Sequence, residues 1–463
     1  MNISIHDWIE ENREEFIKDM IDFFSIESVS HMGEGRYPFG DGCKKMLDFA
    51  LNRSKELGLR IQNHENYCGS AILDGREKKE IGMFSHLDVV PAGDGWSTPP
   101  YEPVIKDGWI YARGSSDNKG PAVACLYALR YLQEMKIPLT HTIRLYYGCN
   151  EEVGMEDILY YRKHYPLPMF SFVPDASFPV CVAEKGVLEG TYSRACAGTI
   201  RSFDAGTVSN SVPDRAIAVI KAEFAAVKEY FSGRQDFQVE QDNDNVRIVA
   251  FGKTAHAASP EGSENAAVKL AKVLSESPLL DEIGKECLSY IWRSFESIYG
   301  NGFGINYIDE ISGPVTVIEG TVHTREEKIV STLNVRYPAS VNQSELIRRV
   351  NETAECFGWE REEVVNNAGY RVELDDEKIK CMTEICNRVW DRKWEPYAMG
   401  GGTYARKLQN AVAYGPGILD QKKPGYPDRG RGHQPDECVC IENMMKAVEI
   451  YTEALIELDK LVE

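Results

Sequence analysis

At the start of the chain the apolar pairs Trp8/Ile9, Phe16/Ile17, Met20/Ile21 and Phe23/Phe24 recur at close to helical spacing with acids between them, which predicts an amphipathic helical segment. Short apolar runs bounded by turn residues follow at 70–73, 81–85, 142–147 and 171–173 and read as strands of a buried sheet. Between the second and third run, 119–135 places Val123, Leu126, Leu129 and Leu132 on one side of a helix. Strands alternating with helices predict an α/β layer architecture. After residue 184 the pattern changes. The stretches 186–192, 215–223, 246–251, 315–319 and 328–336 read as half-exposed strands, with helical stretches at 264–277 and 342–357, and together predict an α+β domain with an open sheet. From 375 the helical pattern returns, and Met444, Val448, Tyr451, Leu455 and Leu458 form a clean apolar stripe. The expected organisation is an α/β domain in two parts, 1–183 and 373–463, with a second domain, 184–372, inserted between them.

Composition narrows the class without naming it. The 463 residues are 43% hydrophobic and 27% charged, values of a soluble globular chain long enough for more than one core. The formal net charge of -20 repels phosphate backbones and anionic surfaces, so neither nucleic acid nor membrane is an expected partner. No apolar stretch approaches the roughly 18 residues of a membrane span, and Asp7, Glu10, Glu11, Glu14 and Glu15 stand where a signal peptide would be basic and then apolar. Twelve cysteines are scattered with no CxxC pair, which fits a reducing compartment and a cytoplasmic location.

Phosphate loops, dinucleotide fingerprints, the nucleophile elbow and the HExxH helix are all absent. Acids and histidines instead occupy short segments flanked by glycine or proline, several just after a predicted strand: SHLDVVP at 85–91, GSSDNKG at 114–120, NEEVG at 150–154, PDA at 174–176 and GHQPDE at 432–437. In α/β sheets, ligands collect beyond the carboxyl ends of strands. Imidazole nitrogen and carboxylate oxygen suit zinc, and one carboxylate can bridge two ions. In His86-x-Asp88 the acid can hold the imidazole from behind, and in Glu151-Glu152 one neighbour can ligate while the other acts on water. Taken singly, each acid is better explained as a solvated or helix-capping residue, Asp117 as an N-cap, and His433 as a surface or satisfied histidine. The ordered set of five is far more specific than any member.

These five segments, in order, resemble the dinuclear zinc metallopeptidase family that contains carboxypeptidase G, acetylornithine deacetylase, aminoacylase and carnosinase. Further stretches resemble its bacterial dipeptidase V branch: NSVPD at 210–214, GKTAH at 252–256, LNVRYP at 333–338 and GGGTY at 400–404. The resemblance implies a zinc-peptidase-like α/β catalytic domain, a mixed sheet between helices, with an inserted α+β lid. It implies two divalent ions, zinc first, with manganese or cobalt in some members. Asp117 would bridge them, His86 and Asp175 would complete one site, and Glu152 and His433 the other. Glu151 would be general base and then acid, and Asp88 would orient His86. The peptide after Asp117 would be cis. In the lid, His256 would steady the oxyanion, Arg336 would grip a substrate carboxylate and Asn210 would contact the substrate near the scissile carbonyl. Gly401, Gly402 and Thr403, at the start of an expected helix, would offer backbone amides to a carboxylate.

The implied reaction is hydrolysis of a dipeptide with a free C-terminus through a hydroxide shared by two metals. A lid as long as 184–372 resembles the doubled lid of monomeric members, which supply the lid histidine within one chain. Two other readings share the motifs: an N-acyl-amino-acid deacylase acting on acetyl or succinyl amides, and a metal-binding scaffold without catalysis. Cys149 and Cys181 flank ligand segments, either as redox-sensitive thiols or as plain buried cysteines.

Overall fold

A computed structural model describes residues 3–33, 36–196, 198–427 and 429–462. The chain forms two compact units: one from the residues up to Val182, Val372–Tyr397 and the residues from Gly402 on, the other from Ala183–Arg371 with Ala398–Gly401.

The first unit is built on a mixed sheet in the order Arg60–His64, Cys68–Leu73, His141–Gly148, Glu77–His86, Phe170–Val173, Ala411–Tyr414 and then Val180–Glu184. Glu77–His86 runs parallel to both of its neighbours, and Ala411–Tyr414 runs parallel to Phe170–Val173; the flanking pairs are antiparallel. The central strands explain their own position. His141–Gly148 is buried at every residue, and Glu77–His86 from Ile81 onward, so neither shows the alternation of a sheet facing water. Helices cover them. Lys119–Glu134 buries nearly its whole circumference, and Ile441–Leu461 carries the expected stripe of Met444, Val448, Tyr451, Leu455 and Leu458. The N-terminal segment forms two helices, Ile5–Glu11 and Arg13–Phe24, where the spacing suggested one run; Ser4 caps the first, and Asn12 separates them. Phe16 meets Tyr127 edge to face at 4.8 Å, and buried Asp19 accepts bonds from Arg53 and Tyr127, so the acidic N-terminal face is tied to the core.

The second unit is an antiparallel sheet of eight strands in the order Phe237–Asp242, Asn245–Phe251, Arg215–Ile220, Ile200–Ala205, Thr316–Arg325, Lys328–Tyr337, Gly186–Ala195 and Glu360–Asn367. Its two halves meet through a single residue pair, Ala205 with Val322. Helices Ala266–Ser275 and Glu282–Phe295 contribute Leu270, Leu274, Leu288 and Ile291 to one core with the sheet's Ile248, Phe203, Leu333 and Val335. The fold class is therefore the expected one, α/β with a mixed sheet between helices, and an α+β second unit.

Candidate metal centre

Three parallel strands of the first unit end side by side, and each delivers part of the site. Glu77–His86 ends on His86 itself, His141–Gly148 runs into Cys149-Asn150-Glu151-Glu152, and Phe170–Val173 runs into Pro174-Asp175. Two further segments meet them: the loop before the helix Lys119–Glu134, which carries Asp117, and the turn that carries His433. The Asp117–Asn118 peptide is cis.

His86 is the hub. Its side chain is 1% exposed, with Nε2 3.1 Å from Asp117 Oδ1 and 3.6 Å from Asp175 Oδ2. Asp117 Oδ2 lies 3.2 Å from His433 Nε2, which is also 3.0 Å from Glu152 Oε2. Among the described residues, two overlapping groups place one donor atom each within 4.8 Å: His86, Glu151 and Asp175, and His86, Asp117 and Glu152. Gly432 permits the approach, because a Cβ there would sit 2.8 Å from Asp117 Oδ2, and His433 takes the left-handed backbone, φ 66°, that aims its ring at the acids.

Charge is unbalanced in this nest. Burial would lower the His86 pKa, but its bonds to Asp117, Asp175 and Asp88 outweigh burial and hold it well above the usual range. Bonds to Asp117 and Glu152 raise His433 to about 11. Burial, followed by repulsion from neighbouring acids, pushes Glu151 and Asp175 up, and lifts Glu152 to about 7 against the pull of His433. Glu151 Oε1 is buried with no hydrogen-bond partner. Four carboxylates against two imidazoles, with an orphaned acid oxygen among them, form a donor set of nitrogen and oxygen that fits divalent cations.

Asp88 does more than the sequence suggested. Its carboxylate accepts the backbone N–H of Glu151 (3.1 Å) and of Glu152 (3.0 Å). The nearest partner of His86 Nδ1 is the Asp88 main-chain carbonyl at 3.0 Å, with the carboxylate 3.5 Å away. Three more residues hold the loops and escaped the sequence reading. Glu437, fully buried, accepts from Arg113 Nη1 (2.7 Å), the amides of Gly114, Ser116 and Asp117 (3.1, 2.9 and 3.0 Å) and Ser116 Oγ (3.1 Å). Asp157 accepts the amides of Cys149 and Asn150 at 2.6 and 2.9 Å. Asn118 donates to Pro174 O (2.6 Å) and Asp175 Oδ1 (3.1 Å). Glu437, the last acid of GHQPDE, and Asn118, beside Asp117 in GSSDNKG, lay inside quoted motifs; Asp157 carried no signal.

The second unit gathers His256, Asn210 and Arg336. Asn210 O accepts from Ala257 N at 2.8 Å, and Ser211 pairs with His256 in a β-bridge, so the two segments are neighbours. Ala258 N donates to His256 Nδ1 at 3.1 Å, leaving Nε2 as the protonated nitrogen. Burial and the Arg336 charge lower the His256 pKa, which favours that neutral form. Arg336 is buried, with Nε on Asn334 Oδ1 (2.9 Å) and Nη1 on Gly400 O (3.1 Å). At 400–404 the expected helix is not formed. Thr403 Oγ1 caps a single 3-10 turn, Tyr404–Lys407, too short to sum backbone dipoles into an anion site; Gly401 closes the second unit's last segment, Ala398–Gly401, and Gly402 and Thr403 belong to the first unit. Cys149 and Cys181 are both buried thiols. No described helix is long and apolar enough to cross a membrane.

Residues 82–457 match Peptidase family M20/M25/M40, and the chain belongs to that family. It is a metallopeptidase by fold and site. Over 468 residues it is 32% identical to a Bacillus subtilis (strain 168) protein named "Putative dipeptidase YtjP", with 97% of this chain and 98% of that one aligned. Among solved structures it is similar to human carnosine dipeptidase 1 (TM-score 0.57, 15% identity, 99% of this chain and 98% of that one). It is also similar to the M20 family metallo-carboxypeptidase Sso-CP2 of Sulfolobus solfataricus (TM-score 0.58, 17% identity, 96% and 99%). These two likenesses concern the fold.

Proposed function

We propose that the protein hydrolyses the peptide bond of dipeptides with a free C-terminal carboxylate, using two divalent cations, zinc first and manganese or cobalt as alternatives. His86, Asp117 and Asp175 would hold one cation, and Asp117, Glu152 and His433 the other. When bound, such a pair supplies the Lewis acidity that lowers the pKa of a water and polarises the scissile carbonyl. Glu151 takes the attacking water's proton at Oε1 and returns it to the leaving amine. Asp88 fixes where Glu151 and Glu152 stand through their two amides. His256 donates from Nε2 to the developing oxyanion, Arg336 grips the C-terminal carboxylate with its planar fork, and Asn210 contacts the substrate beside the carbonyl. The lid histidine comes from this chain itself, so the enzyme works as a monomer, in the cytoplasm.

The observation that carries the reading is the Glu151 carboxyl: buried, unbonded at Oε1, and seated among the ligand acids with its amide held by Asp88. A ligand that only binds metal needs no such group. Amine release from metal-replete protein tests the proposal, with free dipeptides set against N-acetyl and N-succinyl amino acids of the same C-terminal residue. Fast cleavage of dipeptides is the expected result. Preference for the acyl compounds would replace the dipeptidase reading with a deacylase, and silence on both with metal bound would leave a scaffold.

A further inference from the structure

Next to the metal centre, the first unit contains a cavity of about 620 Å³ that no role above uses. Asp117 and Asp175 are part of its lining, so the cavity borders the metal centre. The lining also carries Lys422, Lys423 and Arg431, with Ile418 and Met444 as apolar surface. In a chain of net charge -20, a lining whose three cations match its three acids, Asp117, Asp175 and Asp420, is less negative than the chain as a whole.

Two of these cations are available to a ligand. Lys423 is half-buried, and among the described residues no acid lies within ion-pair distance of it. The acids whose field reaches it are Glu437 and Asp117; the first is filled by five donors, and the second belongs to the metal site. Arg431 stacks over the Tyr426 ring at 4.5 Å and has no carboxylate partner either. Asp420, the one further acid on the lining, is exposed and pairs with neither. A lysine partly withdrawn from water without a counter-charge is unfavourable in the empty protein, and an incoming anion offsets that cost.

We propose that this cavity receives the acyl side of the substrate, and that Lys423 and Arg431 select a carboxylate there. The inference rests on the proposed peptidase reaction, in which Arg336 and its neighbours take the C-terminal residue and leave the other residue to the catalytic unit. The preferred carboxylate belongs either to an N-terminal aspartate or glutamate side chain or to a dicarboxylic acyl group such as succinyl. Both present the same anion at similar reach.

Two measurements on metal-loaded protein test it. In the first, kcat/KM is compared for Asp-Ala, Glu-Ala, Leu-Ala, Lys-Ala, succinyl-Ala and acetyl-Ala. A charge-assisted contact predicts roughly tenfold or greater preference for the acidic member over its neutral counterpart. Preference among the peptides alone assigns the pocket to a side chain; preference among the acyl compounds alone assigns it to succinyl. Lys423→Gln and Arg431→Gln should each pull the Asp-Ala to Leu-Ala ratio toward one, Lys423→Arg should restore it, and thermal melts show whether a variant has lost its fold. In the second, calorimetry on Glu151→Gln reads binding of Asp-Ala and Leu-Ala without turnover, with tighter binding of Asp-Ala expected. Cleavage of Leu-Ala as fast as Asp-Ala and of acetyl-Ala as fast as succinyl-Ala, with equal binding of the two peptides, overturns this inference and leaves the dipeptidase reading intact. No cleavage and no binding of any peptide overturns both.

Discussion

Replacing Glu437 with glutamine isolates one oxygen of a carboxylate that otherwise organises the loop carrying Asp117. Oε2 receives Arg113 and the Gly114 amide, and Oε1 receives the Ser116 and Asp117 amides and Ser116 Oγ. The glutamine carbonyl will stay with the buried Arg113 guanidinium, because leaving that charge unpaired costs about 3–5 kcal/mol. Its NH2 group then faces two backbone donors and strands both. Each buried unsatisfied donor costs about 1–3 kcal/mol, so the loop loses about 2–6 kcal/mol of support, against a total stability of about 5–15 kcal/mol for a typical domain. The loop relaxes before the fold does. Asp117, whose own amide is one of the two stranded donors, moves away from His86 and His433. The expected result is a protein with native circular dichroism whose affinity for divalent cation falls roughly 10–100-fold, as when other supports of metal ligands are lost. Competition against a chromophoric chelator measures this, and urea unfolding of the cation-free protein measures the stability change separately. Wild-type metal affinity in a folded Glu437→Gln protein would refute the claim that this carboxylate positions Asp117. The alanine variant is less informative, since it strands Arg113 as well.

Further outcomes are expected. Glu151→Ala should keep its cations by metal analysis yet lose roughly 10²–10⁴-fold or more in turnover; abundant residual activity would remove Glu151 from the proton path. Arg336→Lys should raise KM for free dipeptides with a smaller change for C-terminally amidated ones, because an ammonium cannot form the paired bonds of a guanidinium; equal effects on both would contradict the carboxylate contact. Cation binding at pH 7 should release protons. His433, at about 11, is protonated in the cation-free site, and Glu152, at about 7, is partly so, while ligation needs both deprotonated. Titration calorimetry in buffers of different ionisation enthalpy reads that release, and a buffer-independent heat would count against these two ligands. By the same signs, the raised pKa values of His433 and Glu152 mean that the cation-free protein loses stability as pH rises, from 4.5 to about 7 through Glu152 and from 6.5 to about 11 through His433. Finally, Gly320→Ala would put a Cβ 2.1 Å from Ser209 O, next to Asn210, so it should lower the melting temperature and weaken substrate binding together.

The parts of the site that were legible in the sequence are those written locally. A strand that ends in a buried, largely apolar run and stops at His86, Gly148 or Val173 announces both its burial and its end, and an acid or histidine at or just past that end falls where three parallel strands converge. The helix Glu282–Phe295 went unread although Cys287, Leu288, Ile291 and Phe295 recur at helical spacing, with Lys285, Glu286, Ser289 and Arg293 on the opposite face. The helix expected at Thr403 reduced to one 3-10 turn: a cap and glycines signal a start but say nothing about length. What the sequence could not distinguish is one acid from another. Asp88, Asp157 and Glu437 are the same residue types as Asp117, Glu152 and Asp175, and all six lie in or beside the motif segments. Their difference is supplied by the fold. The first three have their oxygens filled by backbone N–H groups of the loops they hold, across separations as long as 323 residues for Glu437 and Gly114. Among their own close contacts, the last three meet chiefly imidazole and one another's fields. An acid whose lone pairs are taken by amides is a fixed part of the scaffold; one left facing histidines is free to take a cation. That division of donors, which no single segment of the chain encodes, turns a cluster of carboxylates into a candidate catalytic centre.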